Sequence, residues 1–303
     1  VMFLDNNNTH AIGTTSNAGT LQLGSADDTA SLTALGSGTV TITGGAVLYF
    51  ASSQGITVPG VIGDDGSGIV LMSSGTNILT AANTYTGTTL VHGGTLALVD
   101  DGSINNSASI IIKNATLDVS AATSAVASSG SLALTNGTLT FPVNPGTPNI
   151  MTTTLTTGGT TNVINITTVP GLSVYPTNLT LIKYTTAGPG ITDANNNLTT
   201  LGLVLPLRGS PVGYLTNNVA NNSIDLVLLS DTLIPIYPLT WNGRTNGVNV
   251  GVWDILTTPD WVTTSDGVTP YIYQDASAVV FDDTAAGATS IDLTTAVLPD
   301  SLT

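Results

Sequence analysis

The sequence predicts an all-β chain, a right-handed parallel β-helix followed by a smaller β-rich module. Three observations carry that prediction. Thr, Ser, Asn and Gly dominate, Glu is absent, and Lys and Arg total 4; such residues make strands and turns far better than helices. Short runs at 88–91 (TTLV) and 95–99 (TLALV) place apolar residues on alternate positions and are parted by Gly93 and Gly94, the period-two signature of strands punctuated by a turn. Finally, the phrase small-Thr-Leu-x-apolar recurs at 19–23, 94–98, 115–119 and 137–141.

The repeat sets the architecture. Steps of 21, 22 and 22 residues separate Thr95, Thr116, Thr138 and Thr160, the last in a weaker copy at 159–163. Residues 46–50 (AVLYF) read as a variant, with Val47 lying 48 residues, or two steps of 24, before Thr95. A period of this length, holding two or three short strands, suits one rung of a solenoid whose inward side chains are buried on the rungs above and below. A β-propeller blade needs roughly 40 residues, and an immunoglobulin-like sandwich would not repeat one phrase in every rung. About ten rungs stacked at roughly 4.8 Å would make a solenoid on the order of 50 Å long.

Taken in order, residues 1–62 share this texture, with strands at 39–42 and 47–50 around Gly44 and Gly45. From about residue 163 the rungs loosen, as Pro170, Pro176, Pro189, Pro206 and Pro211 interrupt candidate strands at 179–184 and 201–205. Prolines kept to strand ends fit a section that caps or widens the solenoid. Residues 217–229 then supply an Asn-rich turn and a strong strand. The expected domains are 1–230, the parallel β-helix, and 231–303, a module that holds all three Trp residues.

The composition excludes several classes of function. A 303-residue chain that is 41% hydrophobic can bury a sizeable core. A formal charge of −15 argues against nucleic acid, which needs basic patches, and against an anionic membrane surface. Cysteine is absent, so no disulfide or thiol chemistry is available. No apolar run reaches the ~18 residues of a membrane-spanning helix. The chain starts at Val1 without a signal peptide and stops abruptly, and reads as a processed product or a piece of something longer.

The wording of 79–91, LTAANTYTGTTLV, followed by HGGTLAL, resembles the autotransporter-associated β-strand repeat. Its usual form is Leu-Ser-Gly-Ala-Asn-Thr-Tyr-Thr-Gly-Gly-Thr-Thr-Val, with Gly-Thr-Leu further on. Ala81 replaces the first Gly, and Thr88 follows Gly87 directly where a second Gly is common. The later order around Trp241, Trp253, Trp261 and 278–283 resembles the section linking successive units in giant repeat proteins of this group, of the Verrucomicrobia and Planctomycetes type. The resemblance implies an extracellular, bacterial cell-surface protein and structural roles for Asn83 and Tyr85, with Asn side chains stacking in ladders between rungs.

Candidate sites follow from charge and aromatic placement. Asp27 and Asp28, Asp64 and Asp65, and Asp100 and Asp101 form adjacent pairs spaced 37 and 36 residues apart, and Asp282 and Asp283 form a fourth. Adjacent carboxylates repel, so a hard cation, Ca²⁺, would relieve them; the alternative is exposed Asp-Asp-Gly turns. The Gly-Gly-x-Gly-x-Asp pattern of Ca²⁺-binding solenoids is missing. Trp241, Trp253 and Trp261 would either stack on sugar rings or form the module's core. A polysaccharide-active enzyme would have to draw on Lys113, Lys183, Arg208, Arg244, His10 and His92. His92 falls in the repeated phrase as an outward turn residue, and the chain's charge repels an acidic polysaccharide, so no catalytic residue is nominated and a cofactor other than Ca²⁺ is not expected. Asn-x-Ser/Thr triplets at Asn7, Asn105, Asn114, Asn136, Asn165, Asn178, Asn197 and Asn221 are candidate glycan carriers.

The two ends complete one another. Joined tail to head, Ser301, Leu302 and Thr303 run into Val1, Met2, Phe3 and Leu4 as one continuous strand leading to an Asn-rich turn. The expected function is therefore a structural unit of an extracellular fibre or surface filament, with copies of itself as head-to-tail partners. A glycan-binding adhesin module is the second reading and the enzyme the third. Neither nucleic acid nor membrane insertion by this segment is expected.

Overall fold

Where small polar and apolar residues alternate, the chain runs extended, and the extended pieces stack side by side in parallel. This is a computed structural model describing all residues except 6, 8–11, 34, 128–129, 170–171, 173, 194–197, 207–210, 231–236, 246, 256 and 276. Among the described residues there is no helix. The chain divides into two compact units, Val1–Thr232 and Leu233–Thr303.

The first unit is a parallel β-solenoid. Its longest stack takes the strands Met2–Leu4, Thr20–Leu23, Val47–Phe50, Ile69–Met72, Thr88–Val91, Ser109–Lys113, Ser131–Thr135, Ile150–Gly158 and Thr177–Ala187. Every neighbour in that series pairs in parallel. A second stack runs Thr57–Val58, Thr76–Leu79, Thr95–Asp100, Thr116–Ala122, Thr138–Phe141, Asn162–Ile166 and Leu201–Val204, and a third holds only Thr14–Ser16, Val40–Ile42 and Ile62–Asp64. A complete rung visits the three in turn.

Register explains the core. Inward positions fall opposite one another in ladders: Leu48, Val70, Thr89, Ile110, Leu132 and Leu155 in the first stack, and Leu96, Leu117, Leu139 and Ile164 in the second. All are buried, and burying one Leu or Ile contributes about 1.5–3 kcal/mol. The corners explain the recurring Gly and Asn. Gly93, Asn114, Asn136 and Gly159 share one corner and have φ of +150°, +48°, +50° and +77°, values that Gly and Asn adopt most readily. At another corner the backbones nearly touch, since a Cβ on Gly87 would lie 1.7 Å from the Gly68 carbonyl oxygen.

Three details depart from the sequence expectations. The Thr20 and Val47 segments, read as copies of the Thr95 phrase, lie in the first stack, whereas Thr95 lies in the second. Alternation tells inward from outward but is silent about which side of the rung a strand occupies. Thr138 pairs with Val163 rather than matching Thr160, so that step is 25 residues and the weaker copy is partly a turn. Finally, the solenoid does not stay parallel to its end. Ser223–Ser230 runs antiparallel to both Thr177–Ala187 and Val212–Asn218; the second of these pairings follows from the short link between Asn218 and Ser223, which can join only antiparallel neighbours. Pro176 and Pro211 directly precede strands, as expected, while Pro170 lies outside the described residues.

The second unit is a mixed five-stranded sheet in the order Pro270–Tyr271, Trp261–Thr263, Leu239–Trp241, Ala278–Val280, Ser301–Leu302. Its first two pairings are antiparallel and its last two parallel. Leu239, Trp241, Trp253, Trp261, Tyr273 and Val279 form its buried core.

Candidate functional site

The aspartate pairs act within and between rungs. Asp64 accepts from the Thr86 N–H at 2.8 Å and the Gly87 N–H at 2.9 Å, in the following rung, and from the Gly66 N–H at 3.1 Å in its own. Its neighbour Asp65 reaches the other way, accepting from the Gly44 N–H at 3.0 Å. The Ser67 hydroxyl and the Gly44 N–H hold the Asp65 carboxyl below the usual carboxylate range. Burial pushes the Asp28 carboxyl up, but donors from Ser52 and Ser25 outweigh it and leave its pKa lowered. Thr123 Oγ1 lies 2.9 Å from the Asp100 carbonyl oxygen and 3.1 Å from Asp101 Oδ1. Asp27 is exposed. In the module, Asp282 accepts from the Thr284 hydroxyl and N–H, which lower its pKa. Among the described residues no three His, Cys, Asp or Glu side chains gather as a metal-holding group.

Asn83 and Tyr85 lie inside the same lattice of rung-to-rung bonds. Asn83 Oδ1 accepts from the Ile62 N–H at 2.8 Å, and its Nδ2 donates to the Ser103 carbonyl at 3.0 Å. One buried side chain thus ties an earlier rung to a later one. The Tyr85 hydroxyl sits 2.7 Å from Thr89 Oγ1, itself 2.9 Å from Ser107 Oγ, and burial pushes the Tyr85 phenol well above its ordinary pKa. At the Gly/Asn corner Asn136 Nδ2 donates to Asn114 Oδ1 at 3.3 Å, while Asn136 Oδ1 accepts from the Thr160 N–H at 2.8 Å. This is a short Asn ladder along the corner.

The cationic residues and the indoles occupy very different places. His92, Lys113 and Arg244 are exposed, and Lys183 Nζ donates to Asn221 Oδ1 at 2.7 Å. His10, Arg208 and Asn197 lie outside the described residues. Trp241, Trp253 and Trp261 are 3%, 8% and 1% exposed, so their faces are turned to one another and to Tyr273 and Phe281. Trp241 and Trp253 meet Trp261 edge-on at 5.0 and 5.2 Å. The Trp241 indole N–H donates to the Ala288 carbonyl at 2.8 Å.

The ends expose apolar strand edges. Met2–Leu4 is the first strand of its stack and pairs only with Thr20–Leu23 among the described residues. Val1, Met2 and Phe3 are 79%, 63% and 62% exposed. Ser301–Leu302 is the last strand of the module's sheet, held on one side by Ala278–Val280, with Leu302 64% exposed. Sequence reading did not single out the far end of the solenoid. There Leu198, Leu201, Leu203, Leu205, Tyr214 and Leu215 line a cleft of about 700 Å³. The alternating Leu residues of 201–205 were its signal, an inward ladder with no described parallel rung stacked beyond it. No family model matches the chain, and no curated protein or solved structure matches it.

Proposed function

We propose that the chain is a structural unit of an extracellular filament or surface layer, built on repeats of the autotransporter-associated type and serving adhesion, matrix formation or cell-surface extension. Units propagate head-to-tail, with Ser301, Leu302 and Thr303 meeting Val1, Met2, Phe3 and Leu4 either as one continuous strand or by strand completion between copies. The observation that carries this reading is the pair of edge strands with exposed apolar residues, Met2 and Phe3 in one and Leu302 in the other, each with one side unpartnered among the described residues. An edge of this kind is a template for strand addition unless charge, proline or a covering segment blocks it, and neither strand contains a charged residue or a proline. The rung-to-rung Asp and Asn bonds support the same role, because they stiffen a rod without preparing a reaction centre.

Electron microscopy of the 303-residue chain tests this. The expected result is regular filaments with one unit per axial repeat, shortened or abolished by Met2→Asp and Leu302→Asp. Discrete particles at all concentrations would overturn the reading.

A further inference from the structure

The two main faces of the solenoid differ on their outer sides. On the first stack Tyr49, Leu71, Leu90, Ile111 and Ala133 stand in register on five consecutive strands, each partly exposed and alternating with buried inward residues. Phe3 begins the same row, two strands earlier, with Gln22 between. On the second stack the matching outer row is Ile78, Ala97, Asp118 and Thr140, beside a row of Thr76, Thr95, Thr116 and Thr138, so that side is mostly polar and carries a carboxylate. Strands such as VLYF and IVLM are thus apolar on both sides, the pattern of a sheet covered on both faces, whereas a half-solvated sheet alternates with polar residues.

Charge selects the cover. The chain carries −15, and its 19 acidic residues are all Asp. None lies in the first stack's strands from Met2–Leu4 through Ile150–Gly158, where the only charged residue is Lys113. Two copies meeting through an Asp-bearing face repel. Meeting through this one, they remove apolar rows from water without bringing carboxylates together. We infer that the outer face of the first stack is a lateral interface between two copies of this chain, sheet packed on sheet at about 10 Å.

Size sets the strength. From Phe3 to Ala133 the row spans about 29 Å at ~4.8 Å per strand and is about 10 Å wide. The contact of roughly 300 Å² per copy falls below the ~800 Å² per partner of a standard interface. Single chains therefore pair weakly, and copies already held in line pair far more strongly because each contact raises the effective concentration for the next. The pairing itself does not depend on the end-to-end joint.

Sedimentation velocity of the full chain carrying Met2→Asp and Leu302→Asp, which block the end-to-end joint, tests it from micromolar to millimolar concentration. The average mass should rise toward twofold, more steeply at high salt, which screens the remaining repulsion. Adding Leu90→Asp with Ile111→Asp, or separately Tyr49→Lys, to this end-blocked chain should hold it at the monomer mass with an unchanged circular dichroism spectrum. Ala97→Asp, on the outer side of the second stack, should leave the pairing unchanged. An end-blocked chain that stays monomeric overturns the inference, as does pairing that survives the Leu90/Ile111 double change.

Discussion

In the solenoid, Leu117 touches Leu96 in the rung before and Leu139 in the rung after, and the same relation repeats along the stack. In Leu233–Thr303 the core is instead one knot, with Trp241, Trp253, Tyr273 and Phe281 arranged around Trp261. The first design distributes stability as a sum of near-identical neighbour terms, so that damage stays local. The second concentrates it in a few large rings, so that one loss is felt everywhere. Each aromatic pair adds about 0.5–1.5 kcal/mol beyond the area it buries, and this knot has several.

Trp fluorescence separates the two regions, since every Trp lies in the module. The largest expected effect is Trp261→Ala, at about 3–5 kcal/mol. It should abolish the cooperative fluorescence transition on heating and leave the far-ultraviolet dichroism transition of the solenoid in place. If both transitions shifted together, the contrast between regions would fail. Leu117→Ala comes next, at about 2–5 kcal/mol. It should lower the dichroism midpoint in denaturant with no movement of the fluorescence midpoint.

A smaller effect distinguishes stacking from rung-to-rung bonding inside the solenoid. Asn83→Ala leaves the buried Ile62 N–H without its acceptor, at a cost of about 1–3 kcal/mol. Amide exchange should quicken at Ile62 and its neighbouring rungs and stay unchanged in the module. Uniform quickening throughout would mean that the two regions unfold as one.

The smallest effects concern pH. Asp28 and Asp65 in the solenoid, and Asp266 and Asp282 in the module, all have lowered pKa values. For Asp266 the causes are the Thr269 hydroxyl and the Thr269 and Val268 N–H groups. A native pKa below the unfolded value of about 3.9 means that the unfolded chain takes up protons first. The stabilisation is complete above that value and is lost as pH falls through the native ones. Relief of the −15 self-repulsion works in the opposite direction. Thermal melts from neutral to acid pH should show Asp266→Asn flattening the fluorescence midpoint's acid limb while the dichroism limb keeps its slope.

Much of this was legible in the residues. Alternation at 88–91 and 95–99, and the return of the phrase at Thr116 and Thr138, were enough for a parallel solenoid, because stacking in register demands the same inward residue at each rung. The roles of Asn83 and Tyr85 came from the resemblance, and the structure supplies the bonds they make. The aspartate pairs were open between cation and turn. Which donors meet Asp64 depends on Thr86 and Gly87, 22 and 23 residues away, and no local rule supplies that distance. The apolar outer row was hidden for a related reason, since Tyr49, Leu71 and Leu90 become neighbours only once the rungs are in register.

The sequence alone determined the fold class, the approximate period and the inward face of each strand, because period-two patterning and corner residues are local properties of the chain. The tertiary structure decided which side of the rung a strand joins, where parallel stacking yields to the antiparallel pair at Val212–Asn218 and Ser223–Ser230, and which side chains become partners across rungs. Those outcomes rest on contacts between residues some twenty positions apart, and only the stacked register brings them together.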